Sequence, residues 1–457
     1  MANSAQVVVI GAGISGLACA LRLQERGAPV TLLEANDRPG GLIGTVESNG
    51  FLFESGPQSF QGTETVLALI RDLGIESELC KADPRAPRFV LRRGQLRKIP
   101  MAPQGFLTSS LLGVGSRWRI VSEGLSRTTP PAEDESVAQF VRRKFGHEIL
   151  EYLVSPFVSG IYAGDPEKLS LRAAFPSLEE WERQYGSVLR GAMKSRPAKS
   201  ARQGPPPLCS FLRGVGVLTA AMFAKLGANA KCGVRVDGVT KTDQGFQVQV
   251  TRNGHREQFD APAVVLATPA YVASRIAAPL SAKVAQTLSG IAYAPVVVVA
   301  AGYHANQSAA ALDGFGVLIP RSEKYRTLGI VWNSSLFPKR APQGQMTITS
   351  ILGGATDSAI IEKSDQEITA IAEHEHSKIL KIQGSPIVSA IWKHPRALPQ
   401  YNLGHAHAVR EIREAERAIP GLYFAGNYLE GPSIGKCIEH GFQTAEAVRG
   451  EQEPVSH

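Results

Sequence analysis

The sequence is poor in cysteine: Cys19, Cys80, Cys209, Cys232 and Cys437 are its only five in 457 residues, an odd number with no CxxC pair. This argues against a disulfide framework or a zinc site and for a reducing compartment, and all five read as packing residues. Long apolar runs are missing too. No stretch of 18 apolar residues occurs, so no spanning helix is expected. The first apolar strand begins by Gln6 and leaves no room before it for a signal or transit peptide, so the expected location is cytoplasmic, peripheral on the inner face of the cell membrane. Blocks of like charge are absent as well. The 49 Lys+Arg exceed the 41 Asp+Glu by 8, but the excess is spread thinly, which disfavours nucleic acid and suits an anionic substrate or an anionic membrane surface.

What is abundant is glycine. The chain has 45, about one residue in ten, against roughly 7% in ordinary proteins, so its backbone often needs tight turns or close approach. Its length allows two to four domains, and 43% hydrophobic residues exclude a disordered chain. Val7 to Ile10 reads as a buried strand, Gly11-Ala12-Gly13-Ile14-Ser15-Gly16 as a glycine turn, and Leu17 to Arg26 as a helix. A GxGxxG alone is weak evidence in so glycine-rich a chain. Here a second strand, Val30 to Leu33, ends in Glu34, which lies 23 residues after Gly11, where a βαβ unit places its ribose-binding carboxylate. Gly11 permits the turn, Gly13 the approach of a pyrophosphate, and Gly16 helix–strand packing, so dinucleotide binding follows.

Arg38-Pro-Gly40-Gly41 adds a second stretch of bare backbone amides, and Asn49-Gly50 between Ile43–Glu47 and Phe51–Glu54 signals a hairpin that returns through Gly56-Pro57-Gln58-Ser59. Together with Glu34 these residues resemble the flavin-containing amine oxidase superfamily. Further segments are similar to its protoporphyrinogen oxidase family: Gly160 to Pro166, Gly314-Phe-Gly316, Ser334 to Pro338, Leu398 to His405, Gly426-Asn427 and Gly435 to Ile438. The resemblance runs from about Val7 to Val448. It implies an α/β fold with a Rossmann-like FAD-binding domain built from residues 1–86, 208–284 and 386–457. It also implies a mixed β-sheet substrate domain from 87–98 and 285–385, and a helical, membrane-associated insertion over 99–207.

By the same resemblance, FAD is held by Gly11, Ala12, Gly13, Ile14, Ser15 and Gly16, by Glu34 and Ala35, and by Arg38, Gly40, Gly41 and Leu42. Gly56, Pro57, Gln58, Ser59, Val236, Trp392, Gly426, Asn427, Pro432, Ser433 and Ile434 complete the cofactor set. Substrate contacts fall to Arg97, which would pair with a propionate, to Leu318 and Phe337, which would sandwich pyrrole rings, and to the Gly160–Gly164 backbone. Gln58 stands where some relatives have Asn, which puts fine substrate contacts there in doubt. The implied activity is oxidation of protoporphyrinogen IX to protoporphyrin IX in three two-electron steps, with dioxygen reoxidising FAD and releasing peroxide. The expected partners are a porphyrinogen, dioxygen, a membrane surface, a second copy in a homodimer, and a chelatase receiving the product. Coproporphyrinogen III, or the chemistry of an amine oxidase or carotenoid desaturase, is the alternative.

Elsewhere the chain reads as follows. Phe106 to Leu125 has amphipathic helical spacing, and Met193 to Leu208 is a basic, proline-broken loop. Val234 to Val250 and Gln258 to Leu266 alternate like hairpin strands, Pro295–Val299 through Met346–Ser350 forms a sheet, and Leu422–Ala425, a Gly426 turn and Ile434–Val448 form strand, turn and helix. Gly431-Pro-Ser433-Ile-Gly435 matches GxSxG, but the acids and histidines after it, Glu439, His440, Glu446, Glu451, Glu453 and His457, fall on one helix and a tail, so hydrolysis is not expected. His374/His376 and His405/His407 are i, i+2 pairs that cannot share a helical face as metal ligands, and read as solvated. With no strong base needed beside a flavin, no side chain is assigned as catalytic acid or base.

Overall fold

A computed structural model describes residues 7–101, 103–195, 206–309 and 312–452. A five-stranded, wholly parallel sheet forms its base, in the order Ala230–Lys231, Val30–Leu33, Val7–Ile10, Val264–Leu266 and Leu422–Phe424. The last four of these strands are buried at every position and apolar at nearly all, Thr31 excepted, because both faces of a parallel sheet are covered. Helices Ile14–Glu25 and Ile434–Gln452 pack closely on one face, where Gly441 is needed: a Cβ there would lie 2.5 Å from the Ser15 carbonyl oxygen. Strand order reverses at Val7–Ile10, so the crevice for a ligand opens at its carboxyl end.

A second sheet has seven strands, in the order Val388–Pro399, Tyr293–His304, Gln345–Gly353, Thr327–Val331, Gly316–Leu318, Arg88–Arg92 and Gln95–Lys98. All its pairings are antiparallel except Gly316–Leu318 with Arg88–Arg92. The Asn49-Gly50 hairpin forms between Thr45–Ser48 and Phe51–Glu54, with φ of 51° and 77° at the turn residues. Of the hairpin strands expected over 234–250 and 258–266, the first region folds as Val234–Thr242 against Gly245–Arg252, and the second is divided: His255–Ala261 completes that small antiparallel sheet, and Val264–Leu266 enters the parallel sheet. Pro262 lies between them, and a proline offers no N–H for continuing the ladder.

Between Gln95–Lys98 and Leu208–Phe211 the chain forms a helical segment, Pro103–Thr108 to Val188–Lys194. The single helix expected over 106–125 is interrupted. Gly113 is extended and donates its N–H to Glu148 Oε2 at 2.9 Å, while the Arg117 guanidinium donates to the Leu112 and Ser109 carbonyls, so Val114–Leu125 starts afresh. Leu111 and Leu112 are buried. Most of the basic loop, residues 196–205, lies outside the described residues.

Candidate cofactor and substrate site

A cavity of about 790 Å³ runs along the carboxyl ends of the parallel strands. Its floor is the glycine turn. Gly11 has φ +105°, and a Cβ there would sit 2.7 Å from the Ala267 carbonyl oxygen; on Gly16 it would sit 1.9 Å from the Gly11 carbonyl oxygen. Gly13 is different, because a Cβ there would meet nothing within 4 Å, leaving bare backbone facing open space at a helix N-terminus. The second glycine pair is tied to the first: Gly40 N–H donates to the Ala12 carbonyl at 2.8 Å, and Gly13 and Gly40 form a parallel bridge. Arg38 donates to the carbonyls of Pro39, Gly41 and Ile43 and so fixes this loop.

Glu34 is 7% exposed, its Oε2 accepting the Ala12 N–H at 2.7 Å and its Oε1 the Asn36 N–H at 2.9 Å. Oε1 also accepts from Asn36 Nδ2 at 2.6 Å, so the carboxylate is held at the cavity edge with one lone pair, on Oε2, left for a hydroxyl donor. Of the residues expected to hold cofactor, Gly11, Gly13, Ile14, Ser15, Glu34, Ala35, Gly40, Gly41, Leu42, Pro57, Val236, Gly426, Asn427, Pro432 and Ile434 line this cavity. Ala12, Gly16, Arg38, Gly56, Gln58, Ser59, Trp392 and Ser433 stand behind or beside the wall. Gln58, for instance, donates to the Gly56 carbonyl at 2.8 Å and accepts from Asn333 Nδ2 at 2.7 Å, bracing the turn that carries Pro57. Ser433 Oγ accepts the Lys436 N–H as a helix cap, and that accounts for the serine of the GxSxG.

The seven-stranded sheet supplies a second surface. Arg97, Val90, Leu318, Gly329, Ile351, Val298 and Trp392 are paired in one row across all seven strands, so their side chains share a face. At about 4.8 Å per strand, Arg97 lies roughly 10 Å from Leu318 along this row. Helix Ser155–Tyr162 lies over it, because a Cβ on Gly160 would meet Leu318 Cδ2 at 3.0 Å. Gly164 allows close packing against Gln400 Oε1. Phe337 departs from expectation: it is 2% exposed, sits in a separate cluster with Cys80 and Ala82, and carries the Arg340 guanidinium 5.5 Å over its ring. It therefore does not pair with Leu318 across a shared space.

Among the described residues no histidine lines the cavity. Asp237 is engaged by Arg235 at 2.9 Å, burial raises the Tyr293 hydroxyl, and burial pushes the Cys437 thiol up to about 11. Sequence reasoning missed Tyr271, Arg275, Tyr293 and Arg396 on the wall. Tyr271 and Arg275 had a faint signal, one helical turn apart after the Ala267-Thr-Pro269 exit from the sheet; Arg396 had none. The histidine pairs are not uniformly solvated: His376 and His405 are buried, and His376 hydrogen-bonds Tyr303 and Ser350. Among the described residues no His, Cys, Asp and Glu cluster could hold a metal.

Residues 14–449 match the family of flavin containing amine oxidoreductases. The chain belongs to this family. It is 34% identical to the chloroplastic protoporphyrinogen oxidase of Nicotiana tabacum, over 97% of this chain and 85% of that one. It is 29% identical to coproporphyrinogen III oxidase of Bacillus subtilis (strain 168), over 95% and 96% respectively. A crystal structure from Exiguobacterium sp. 255-15 has the same fold, with TM-score 0.83 and 23% identity over 99% of this chain and all of that one. The family's cofactor is FAD, and the residues present fit it: an open amide cradle at Gly13, a fixed carboxylate at Glu34, and an elongated cavity of sufficient volume.

Proposed function

We propose that the chain is a porphyrinogen oxidase, oxidising protoporphyrinogen IX to protoporphyrin IX with FAD and dioxygen. The observation that carries this is the conjunction of the glycine-floored cavity with a mostly apolar sheet row ending in Arg97, in a chain about a third identical to plant protoporphyrinogen oxidases. Protoporphyrinogen is preferred over coproporphyrinogen on identities of 34–36% to four plant protoporphyrinogen oxidases, against 27–29% to two coproporphyrinogen III oxidases and 29–30% to two further plant protoporphyrinogen oxidases.

Bound FAD supplies the hydride acceptor. The chain binds, orients and shields. Arg97 is a half-buried residue whose guanidinium donates to Gln95 Oε1 at 2.5 Å on the exposed side and is suited to a propionate bidentately. Leu318 gives a tetrapyrrole an apolar rest under helix Ser155–Tyr162. The carboxylates on the wall, Glu34 and Asp237, are already engaged, so orientation rather than proton abstraction is the protein's contribution.

An apolar substrate suits a membrane surface, and one helical stripe offers contact. Val114, Trp118, Val121 and Leu125 recur at intervals of four, three and four, and all are exposed, Trp118 by 69% and Leu125 by 80%. Among the described residues no helix is long and apolar enough to cross a membrane, so the association proposed is peripheral. The test of function is aerobic turnover of protoporphyrinogen IX, read as porphyrin fluorescence with peroxide. About three peroxides per porphyrin are expected from six electrons; porphyrin formed no faster than in buffer would refute the reading.

A further inference from the structure

Among the described residues, two guanidinium groups on the cavity wall have no anionic partner. Among the described residues neither Arg275 nor Arg396 makes a salt bridge or hydrogen bond, although both line the cavity. The third lining arginine, Arg235, is neutralised by Asp237 at 2.9 Å, and Arg38 is spent on backbone carbonyls of its own loop. We propose that Arg396, seated on Tyr271, binds the diphosphate of FAD from the wall opposite the glycine turn, with Arg275 adding positive charge one helical turn farther along.

The placement follows from the packing. Thr268 Cγ2 lies 3.1 Å from where a Cβ on Gly11 would be, so this segment faces the glycine turn directly. Helix Ala270–Ala277 begins two residues later, with Tyr271 in its first turn and Arg275 at i+4 on the same face. The Arg396 guanidinium carbon sits 4.6 Å over the Tyr271 ring, a cation–π seat that leaves its N–H edge free. Tyr271 is itself held edge-on by Tyr293 at 5.2 Å, and the Tyr293 hydroxyl accepts the Ala270 N–H at 2.9 Å. The seat is therefore preorganised. A dianionic diphosphate on the Gly13 amides would meet, across the cavity, the only uncommitted cations among the described lining residues, and planar guanidinium matches phosphate oxygens bidentately.

This rests on the FAD reading, and its test separates the two. The flavin content of wild-type holoenzyme checks the cofactor. Holoenzyme variants are then diluted at low and high salt and released flavin is followed by fluorescence to equilibrium. Arg396→Gln should raise the FAD dissociation constant about tenfold or more at low salt and flatten its salt dependence, with Arg396→Lys intermediate. Added ADP should displace flavin from wild type at lower concentration than adenosine, and Arg396→Gln should shrink that preference severalfold, the Gly13 amides keeping the remainder. Arg396 is exposed, so folding should survive. Wild-type affinity and salt dependence in Arg396→Gln, or weakened FAD binding with the ADP preference intact, would overturn the assignment.

Discussion

At the scale of single residues, the site depends on places where nothing larger than a hydrogen fits. Gly16→Ala would put a Cβ 1.9 Å from the Gly11 carbonyl oxygen, so the purified variant should carry far less flavin than wild type at equal fold content; full flavin loading would contradict the close-packed turn. At the other end of the site, Arg97→Ala should raise KM for a porphyrinogen roughly tenfold with kcat little changed, if it removes uniform binding of a propionate. Unaltered KM would remove Arg97 from the site. The glycine turn and Glu34 were legible because a βαβ unit sets both residue type and spacing. Phe337 was not, because whether an apolar side chain faces a ligand or a core cluster depends on packing between distant segments. The buried His376 and His405 were misread for the same reason: i, i+2 spacing puts the two imidazoles of each pair on different helix faces and says nothing of what covers either.

At the scale of elements, strands and the glycine-bounded helices followed from local pattern, while breaks depended on distant partners. The amphipathic spacing over 106–125 was visible, yet the interruption at Gly113 is set by Glu148, 35 residues away. That break decides which apolar residues are displayed. Leu112 is 2% exposed, so charging it would damage the core, whereas Trp118 and Leu125 face outward. Trp118→Glu with Leu125→Glu should therefore reduce flotation with anionic liposomes severalfold while leaving thermal stability nearly unchanged. Equal recovery with wild type would count against this helix as the membrane surface. The order of strands across the seven-stranded sheet was not legible in the sequence. That order places Arg97 and Leu318 in one row although 221 residues separate them.

At the scale of the molecule, two sheets and a helical segment form one cavity and one apolar surface, held partly by groups that must stay neutral. Burial lowers His376, His405 and His440 to about 4 each. Their folded values lie below the unfolded value near 6.5, so the unfolded chain binds more protons between those limits. Stability is full above about pH 6.5 and falls as pH drops toward 4; melting temperature should decline over that window, and a flat profile would contradict the burial of these imidazoles. The central claim is that this chain moves electrons from a porphyrinogen to FAD. The most direct measurement is anaerobic mixing of the purified holoenzyme with protoporphyrinogen IX while the oxidised flavin band is followed. The band should bleach rapidly, and faster than with coproporphyrinogen III; flavin that stays oxidised with both, or a protein that carries no flavin, would contradict the account.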